Sequence, residues 1–170
     1  MRKILIFLVF FLNSQILFAD SSHFIDFKFI LNESNAGKKA QDALKSQLQN
    51  GLKNLKEREK RIQEDEKKII QQKKLISAED YKKQVKELRS KVTSLQKERN
   101  KLLDNISKQR TKARNELLKN LNPILKDYMK EKKIRIVLDK KSILLADENL
   151  NITADIMKIL NQKLKSIKLN

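Results

Sequence analysis

Residues 48–95 read LQNGLKNLKEREKRIQEDEKKIIQQKKLISAEDYKKQVKELRSKVTSL, and this stretch decides the fold. Apolar side chains recur in it at an unbroken seven-residue interval: Leu48, Leu55, Ile62, Ile69 and Ile76. A stripe with this period predicts a long helix that packs along one face against a second helix. No proline interrupts residues 36–75, so the predicted helix has about 40 residues and is roughly 60 Å long.

The second core position of the same heptads changes character along the helix. It holds Leu52 and then Glu59, Glu66 and Lys73. The seam is therefore predicted to be apolar near its start and half polar further out. A strict two-position zipper is not expected in the outer half.

A second long helix is predicted to start at Ser77, whose hydroxyl can cap backbone N–H groups ahead of two acidic residues in the first turn. From Tyr81 onward the apolar residues follow steps of four and three, which predicts a helix that ends near Leu121. A short connection between helices of similar length favours an antiparallel pair. The predicted hairpin comprises residues 36–121, with its turn near 76–78.

The two ends of the chain carry short β-prone runs. We expect a strand at about 22–26, whereas residues 27–34 fit either its continuation or one helical turn. Near the C-terminus, runs at 134–138 and 143–146 are typical of a β-hairpin. Thr153 is expected to cap a final helix.

Together these elements predict an α+β fold that is mostly α. A long helical hairpin would stand on a small antiparallel β-body made by residues 20–35 and 122–170, and Pro123 would mark the passage between them by a kink or a helix restart. A body of about 60 residues buries only roughly 60% of its unfolded surface and is marginally stable alone. We therefore expect subunits to share their sheets.

Residues 1–19 have the order of a secretory signal peptide. Basic Arg2 and Lys3 precede an apolar run, and a short polar group precedes Ala19, after which we expect cleavage. The apolar run is far shorter than the roughly 20 residues that cross a bilayer. No cysteine is present, so disulfide bonds do not accompany the predicted export.

The chain is strongly basic, with a formal net charge of +18. Residues 36–121 hold 25 Lys and Arg against 12 Asp and Glu, so most of the excess belongs to the predicted hairpin. Such a field attracts anionic partners, and anionic lipid or lipopolysaccharide surfaces are candidates. Nucleic acid is a poorer candidate, because Tyr81 is the only aromatic residue between positions 32 and 121 and stacking platforms are missing.

No pattern of catalytic or metal-binding residues stands out. His23 is the only histidine and no cysteine accompanies it, so a metal site is not expected. Asp26 and Asp139 lie near predicted strand ends, where turn and cap roles are expected. We therefore expect a protein without a cofactor or enzymatic activity.

Short motifs stand at both ends of the chain. They are Ile25-Asp26, Ile30-Leu31-Asn32-Glu33-Ser34, Ala36-Gly37-Lys38-Lys39, Ile136-Val137-Leu138-Asp139, Ile143-Leu144-Leu145-Ala146 and Asn151-Ile152-Thr153. In this order, behind a signal peptide and around a basic hairpin, they resemble the Skp/OmpH family of periplasmic chaperones. The resemblance covers the whole mature chain, although its specific motifs are confined to the two ends.

The resemblance implies a homotrimer in which N- and C-terminal strands form a shared β-body and three hairpins surround a cavity. It also implies the function of an ATP-independent holdase in the periplasm. Such a protein binds unfolded outer-membrane proteins and prevents their aggregation during transit to the outer membrane. The family has no catalytic residues to carry over.

Two sets of residues are expected to serve this function. On the arm, the expected client contacts are Ile69, Leu75, Ile76, Val85, Leu88 and Val92. In the body, the expected trimer contacts are Ile25, Phe27, Ile136, Leu138, Ile143 and Leu145. Two other interpretations stay open: a periplasmic coiled-coil scaffold, and a peripheral binder of anionic membrane surfaces.

Overall fold

The computed structural model describes residues 22–169, so the predicted signal peptide and its cleavage site near Ala19 lie outside the described residues. Two long helices form a hairpin, and the segments of residues 22–169 that flank the hairpin meet at its open end in a small body. The elements in chain order are β1 (His23–Ile25), α1 (Phe27–Glu33), α2 (Asn35–Gln72), α3 (Ala78–Lys132), β2 (Val137–Asp139), two 3-10 turns (Lys140–Ser142 and Glu148–Leu150) and α4 (Thr153–Lys163).

The N-terminal segment forms a short strand and then a helix. β1 confirms the strand expected at 22–26. The carboxylate of Asp26 accepts a hydrogen bond from the backbone N–H of Phe29 at 2.7 Å, which caps α1. This cap selects the helix for residues 27–34, where the sequence also allowed a strand.

The hairpin has the predicted seven-residue stripe, but the second core position near its start is wrong, because Leu52 is 43% exposed. Leu55 is buried, and the other four members of the seven-residue stripe are half-buried. The predicted start of α3 is also confirmed, because the Ser77 hydroxyl accepts a hydrogen bond from the N–H of Asp80 at 3.0 Å. Outside the root of the arm the burial is slight: no residue between 56 and 105 is buried.

The end predicted for the second helix is wrong. α3 neither stops near Leu121 nor restarts at Pro123, but continues to Lys132. A proline inside a helix removes one backbone hydrogen bond and costs about 3 kcal/mol. Leu121 and Ile124 lie in the body core at 1% and 3% exposure, and their burial offsets that cost.

The sheet also differs from the prediction. β2 does not pair with residues 143–146 in an antiparallel hairpin; it pairs in parallel with β1, placing His23 beside Val137. Asp139 caps the 3-10 turn that follows β2, and this turn directs the chain out of the sheet. Residues 143–146 consequently form no strand.

The other edge of β1 is joined to the start of α4. Phe24 forms a parallel bridge with Asn151. Thr153 is the first residue of α4 and not its cap: its hydroxyl accepts the N–H of Asp26 at 2.8 Å and donates to Asn151 Oδ1 at 2.6 Å. The N-cap position is Ile152, which has no side-chain capping bond, and the same Asn151 oxygen accepts the N–H of Thr153 at 3.1 Å.

The core of the body lies where β1, α1, the start of α2, the C-terminal part of α3 and α4 meet. Its largest fully buried side chains, at most 1% exposed, are Ile30, Leu117, Leu121, Ile156 and Leu160. Tyr128 ties α3 to α4 by donating a hydrogen bond to Asp155 at 2.6 Å, and burial together with this bond raises the pKa of Tyr128 to about 12. No helix within residues 22–169 has the length and apolarity needed to cross a membrane.

Candidate binding surfaces of the arm and the body

The six arm residues expected to contact clients separate into two groups. Leu75 is 82% exposed at the hairpin turn, and Val92 is 50% exposed on α3. The other four are half-buried. Among them, Ile69 and Leu88 line one shallow cavity of about 220 Å³ between the two helices, so their side chains contribute to the seam.

Three further apolar residues of the arm are exposed although they were not among the expected client contacts. They are Leu52, Ile70 and Leu103, which are 43–61% exposed. Ile70 directly follows the stripe residue Ile69, and its position off the stripe was the available signal. Together with Leu75 and Val92, these side chains give the arm a discontinuous apolar surface, which we call the exposed arm set.

Ion pairs join the two helices at the polar part of the seam. Arg58 pairs with Glu98, and Lys91 donates to Asp65 at 2.6 Å. The hydrogen bond from Lys91 lowers the pKa of Asp65. A third pair joins Glu59, one of the polar heptad positions, to Arg99 at 3.7 Å.

These pairs are part-exposed, and pairs of this kind typically contribute only about 0–1 kcal/mol each. The outer arm is therefore held by helix formation, a thin apolar seam and weak ion pairs.

The six residues expected at subunit contacts also lie in two environments. Ile25 and Phe27 are buried in the core of the single chain. Ile143 is half-buried, whereas the remaining three are exposed: Ile136, Leu138 and Leu145. Leu144, which was not singled out, is fully exposed beside Leu145.

A groove with a cavity of about 520 Å³ lies between β2 and the C-terminal part of α3. Leu118, Leu125 and Met129 line it from α3, and residues 135–139 line it from the strand side. In the described chain β2 pairs only with β1, so its second edge has no strand partner. An apolar groove beside a strand edge suits an added segment of polypeptide.

The carboxylates near the strand ends serve the backbone. Asp26 caps α1, and Asp139 accepts the N–H of Lys141 at 3.3 Å, which confirms the predicted cap and turn roles. Within residues 22–169, no three or more His, Asp or Glu side chains come together as a possible metal site.

The comparisons with known proteins agree with this architecture. The family model described as "Outer membrane protein (OmpH-like)" matches residues 23–160. A crystal structure at 2.83 Å of an OmpH-like protein from Caulobacter crescentus CB15, proposed to be an outer membrane chaperone, superposes with a TM-score of 0.79 at 18% identity. The match covers 89% of this chain and 95% of that one, and at this identity it supports the fold alone.

The search of curated proteins returns no match. The family match nonetheless spans most of the sequence, from β1 into α4. It confirms the resemblance inferred from the motifs at the two ends. The chain therefore belongs to the OmpH-like family of outer membrane proteins.

Proposed function

We propose that this chain is an ATP-independent holdase of the periplasm, which binds unfolded outer-membrane proteins and prevents their aggregation. Membership of the OmpH-like family supports a chaperone role. Exposed apolar strand segments of an unfolded barrel protein pair edge to edge and aggregate. A protein that covers these segments with many weak contacts delays that pairing without enzymatic chemistry.

The observation that carries this proposal is the composition of the outer arm. No residue between 56 and 105 is buried, and several large apolar side chains in this part of the arm are exposed to solvent. A scaffold helix pair would use its apolar residues to seal the seam. Here the exposed arm set is left uncovered by the partner helix, including Leu52 and Val92, which lie at predicted seam positions, and it is free to contact a client.

The test is dilution of a urea-unfolded outer-membrane barrel protein into buffer with the mature chain and without nucleotide. Light scattering should show suppressed aggregation. Replacing three exposed apolar residues by serine, as Ile70→Ser, Leu75→Ser and Val92→Ser together, should weaken suppression at least several-fold.

A matched control replaces three exposed polar residues of the same arm: Gln71→Ser, Lys74→Ser and Thr93→Ser. This variant should retain suppression. Equal suppression by the two triple variants would remove the assigned role of the apolar surface, and no suppression by the unmodified chain would reject the function.

The proposed assembly is a homotrimer in which subunits complete one another's bodies. Leu144 and Leu145 are 103% and 92% exposed, and the apolar groove beside β2 is a suitable place for such side chains. The paired change Leu144→Asp and Leu145→Asp should leave the chain monomeric in light scattering coupled to size exclusion. A wild-type monomer would exclude the shared body.

Binding to an anionic membrane surface is the second candidate. Lysines at positions 67, 68, 73, 74, 82 and 83 are exposed around the turn that presents Leu75. Basic side chains around an apolar residue favour the interface of a bilayer that contains anionic lipid or lipopolysaccharide. Binding to anionic vesicles, without any suppression of barrel aggregation, would favour this function over the holdase.

A further inference from the structure

A second pocket lies at the root of the arm and shares only Arg114 with the groove beside β2. Its cavity, of about 240 Å³, lies where α1, α2, α3 and the C-terminal tail meet, and we call it the root pocket. Its apolar wall consists of Leu31, Ala40, Leu44, Ala113 and Ile167.

Small side chains leave this space open. Ala40 on α2 and Ala113 on α3 both line it and are only 5% exposed. Pockets that hold drug-sized ligands have roughly 300–1,000 Å³. The root pocket is smaller, so it has room for about one large apolar side chain.

Two guanidinium groups belong to the same pocket. Arg110 and Arg114 lie one turn apart on α3, and both line the cavity while remaining exposed, which places them at its mouth. Arg114 also lies over the ring of Phe27, 5.4 Å from its centroid, and both residues line the groove beside β2, so Arg114 stands between that groove and the root pocket. Within residues 22–169 neither arginine forms a salt bridge, and no carboxylate lines the cavity.

We propose that the root pocket binds the C-terminal residue of an unfolded polypeptide, with its apolar side chain in the cavity and its terminal carboxylate on Arg110 and Arg114. A C-terminal residue carries both groups on one Cα atom, which matches a cavity one side chain deep with cations at its rim. Guanidinium groups bind carboxylates through paired, charge-assisted hydrogen bonds. An internal residue would bring only an uncharged peptide group to the same place.

This inference rests on the proposed client binding and specifies one feature of the client. The probe is a fluorescein-labelled dodecapeptide of Gly, Ser and Asn that ends in Phe, compared with its C-terminal amide and with the same peptide ending in Gly. Anisotropy titration of the full mature chain should show binding about tenfold weaker for the amide and for the Gly peptide.

Arg110→Gln should reduce the preference for acid over amide to within about twofold. The matched control is Lys101→Gln, which removes an equal charge from α3 nine residues away, on the opposite face of the helix. This control should keep the full preference. Both replaced side chains are exposed, so neither change should prevent folding.

Equal binding of acid and amide to the unmodified chain, or an unchanged preference in Arg110→Gln, would overturn the proposal. Saturable binding of dodecanoate that depends on Arg110, with no binding of the peptide, would overturn it in favour of a lipid. If the chain suppresses barrel aggregation but shows no preference for the free carboxylate, only the root-pocket inference fails. If it does not suppress aggregation, the holdase proposal fails.

Discussion

The two long helices α2 and α3 run through both the arm and the body, but these two regions are stabilised in different ways. In the body, α3 contributes Leu117 and Leu121, which are almost inaccessible to solvent. Along the arm, the same helix contributes only half-buried and exposed side chains from Tyr81 to Asn105. Burial thus fixes one end of the molecule, while the other retains apolar surface. A protein that must stay folded while it contacts aggregation-prone partners needs both a buried core and an exposed apolar surface.

The largest expected difference is in the response to truncating a leucine. Leu160→Ala removes a side chain that is fully buried in the body and should lower the free energy of unfolding by about 2–5 kcal/mol. Leu95→Ala removes a half-buried seam residue and should lower it by only about 1 kcal/mol. Urea denaturation at one protein concentration measures both. Equal losses would mean that the arm is packed as tightly as the body.

Alanine substitutions at the two glycines, Gly37 in the body and Gly51 in the arm, should also differ in their effect on stability. A Cβ on Gly37 would collide with the backbone carbonyl of Leu31, which cannot move without displacing α1. Gly37→Ala should therefore destabilise the body by roughly 1–3 kcal/mol, despite the better helix propensity of alanine.

A Cβ on Gly51 would instead lie 2.6 Å from the tip of the Leu102 side chain, which is half-buried and can rotate. Since alanine favours the helix by up to about 1 kcal/mol, Gly51→Ala should be nearly neutral. Thermal unfolding followed by circular dichroism compares the two changes. A large loss of thermal stability from Gly51→Ala would show that the arm cannot adjust its packing where position 51 faces Leu102.

The smallest expected effect concerns the ion pairs of the arm. Arg58→Gln breaks the pair with Glu98 and should cost at most about 1 kcal/mol, a loss that 1 M salt should abolish. Lys60→Gln, an exposed change of equal charge on the same helix, should be neutral or slightly stabilising because it lowers the net positive charge. A salt-independent loss from Arg58→Gln would indicate packing by its aliphatic stem.

Periodicity explains why the arm was predicted well. The seven-residue interval from Leu48 to Ile76 repeats one local signal over many turns, and the Ser77 cap marks the break between the helices. The body lacks such redundancy. Whether 143–146 forms a strand depends on which edge it meets, and in the single chain β2 pairs with β1 from the other end of the sequence. A short apolar run does not contain that information.

The same logic applies to the candidate client contacts. On the regular stripes the partner helix covers Ile69 and Leu88 but leaves Val92 half exposed. Apolar residues off the stripe, such as Ile70, have no such partner and remain exposed. The root pocket could not be predicted, because it forms only where Ala40, Ala113 and the tail residue Ile167 meet from distant parts of the chain.

The parallel pairing of His23 with Val137 has a consequence for the order of folding. The two residues are 114 positions apart, so closing the sheet requires the intervening hairpin to bring them together. The hairpin needs only contacts that spread outward from its own turn. A chain that is synthesised from its N-terminus can therefore form the two long helices while strand β1 is still unpaired. The body can close only after α4 has been synthesised.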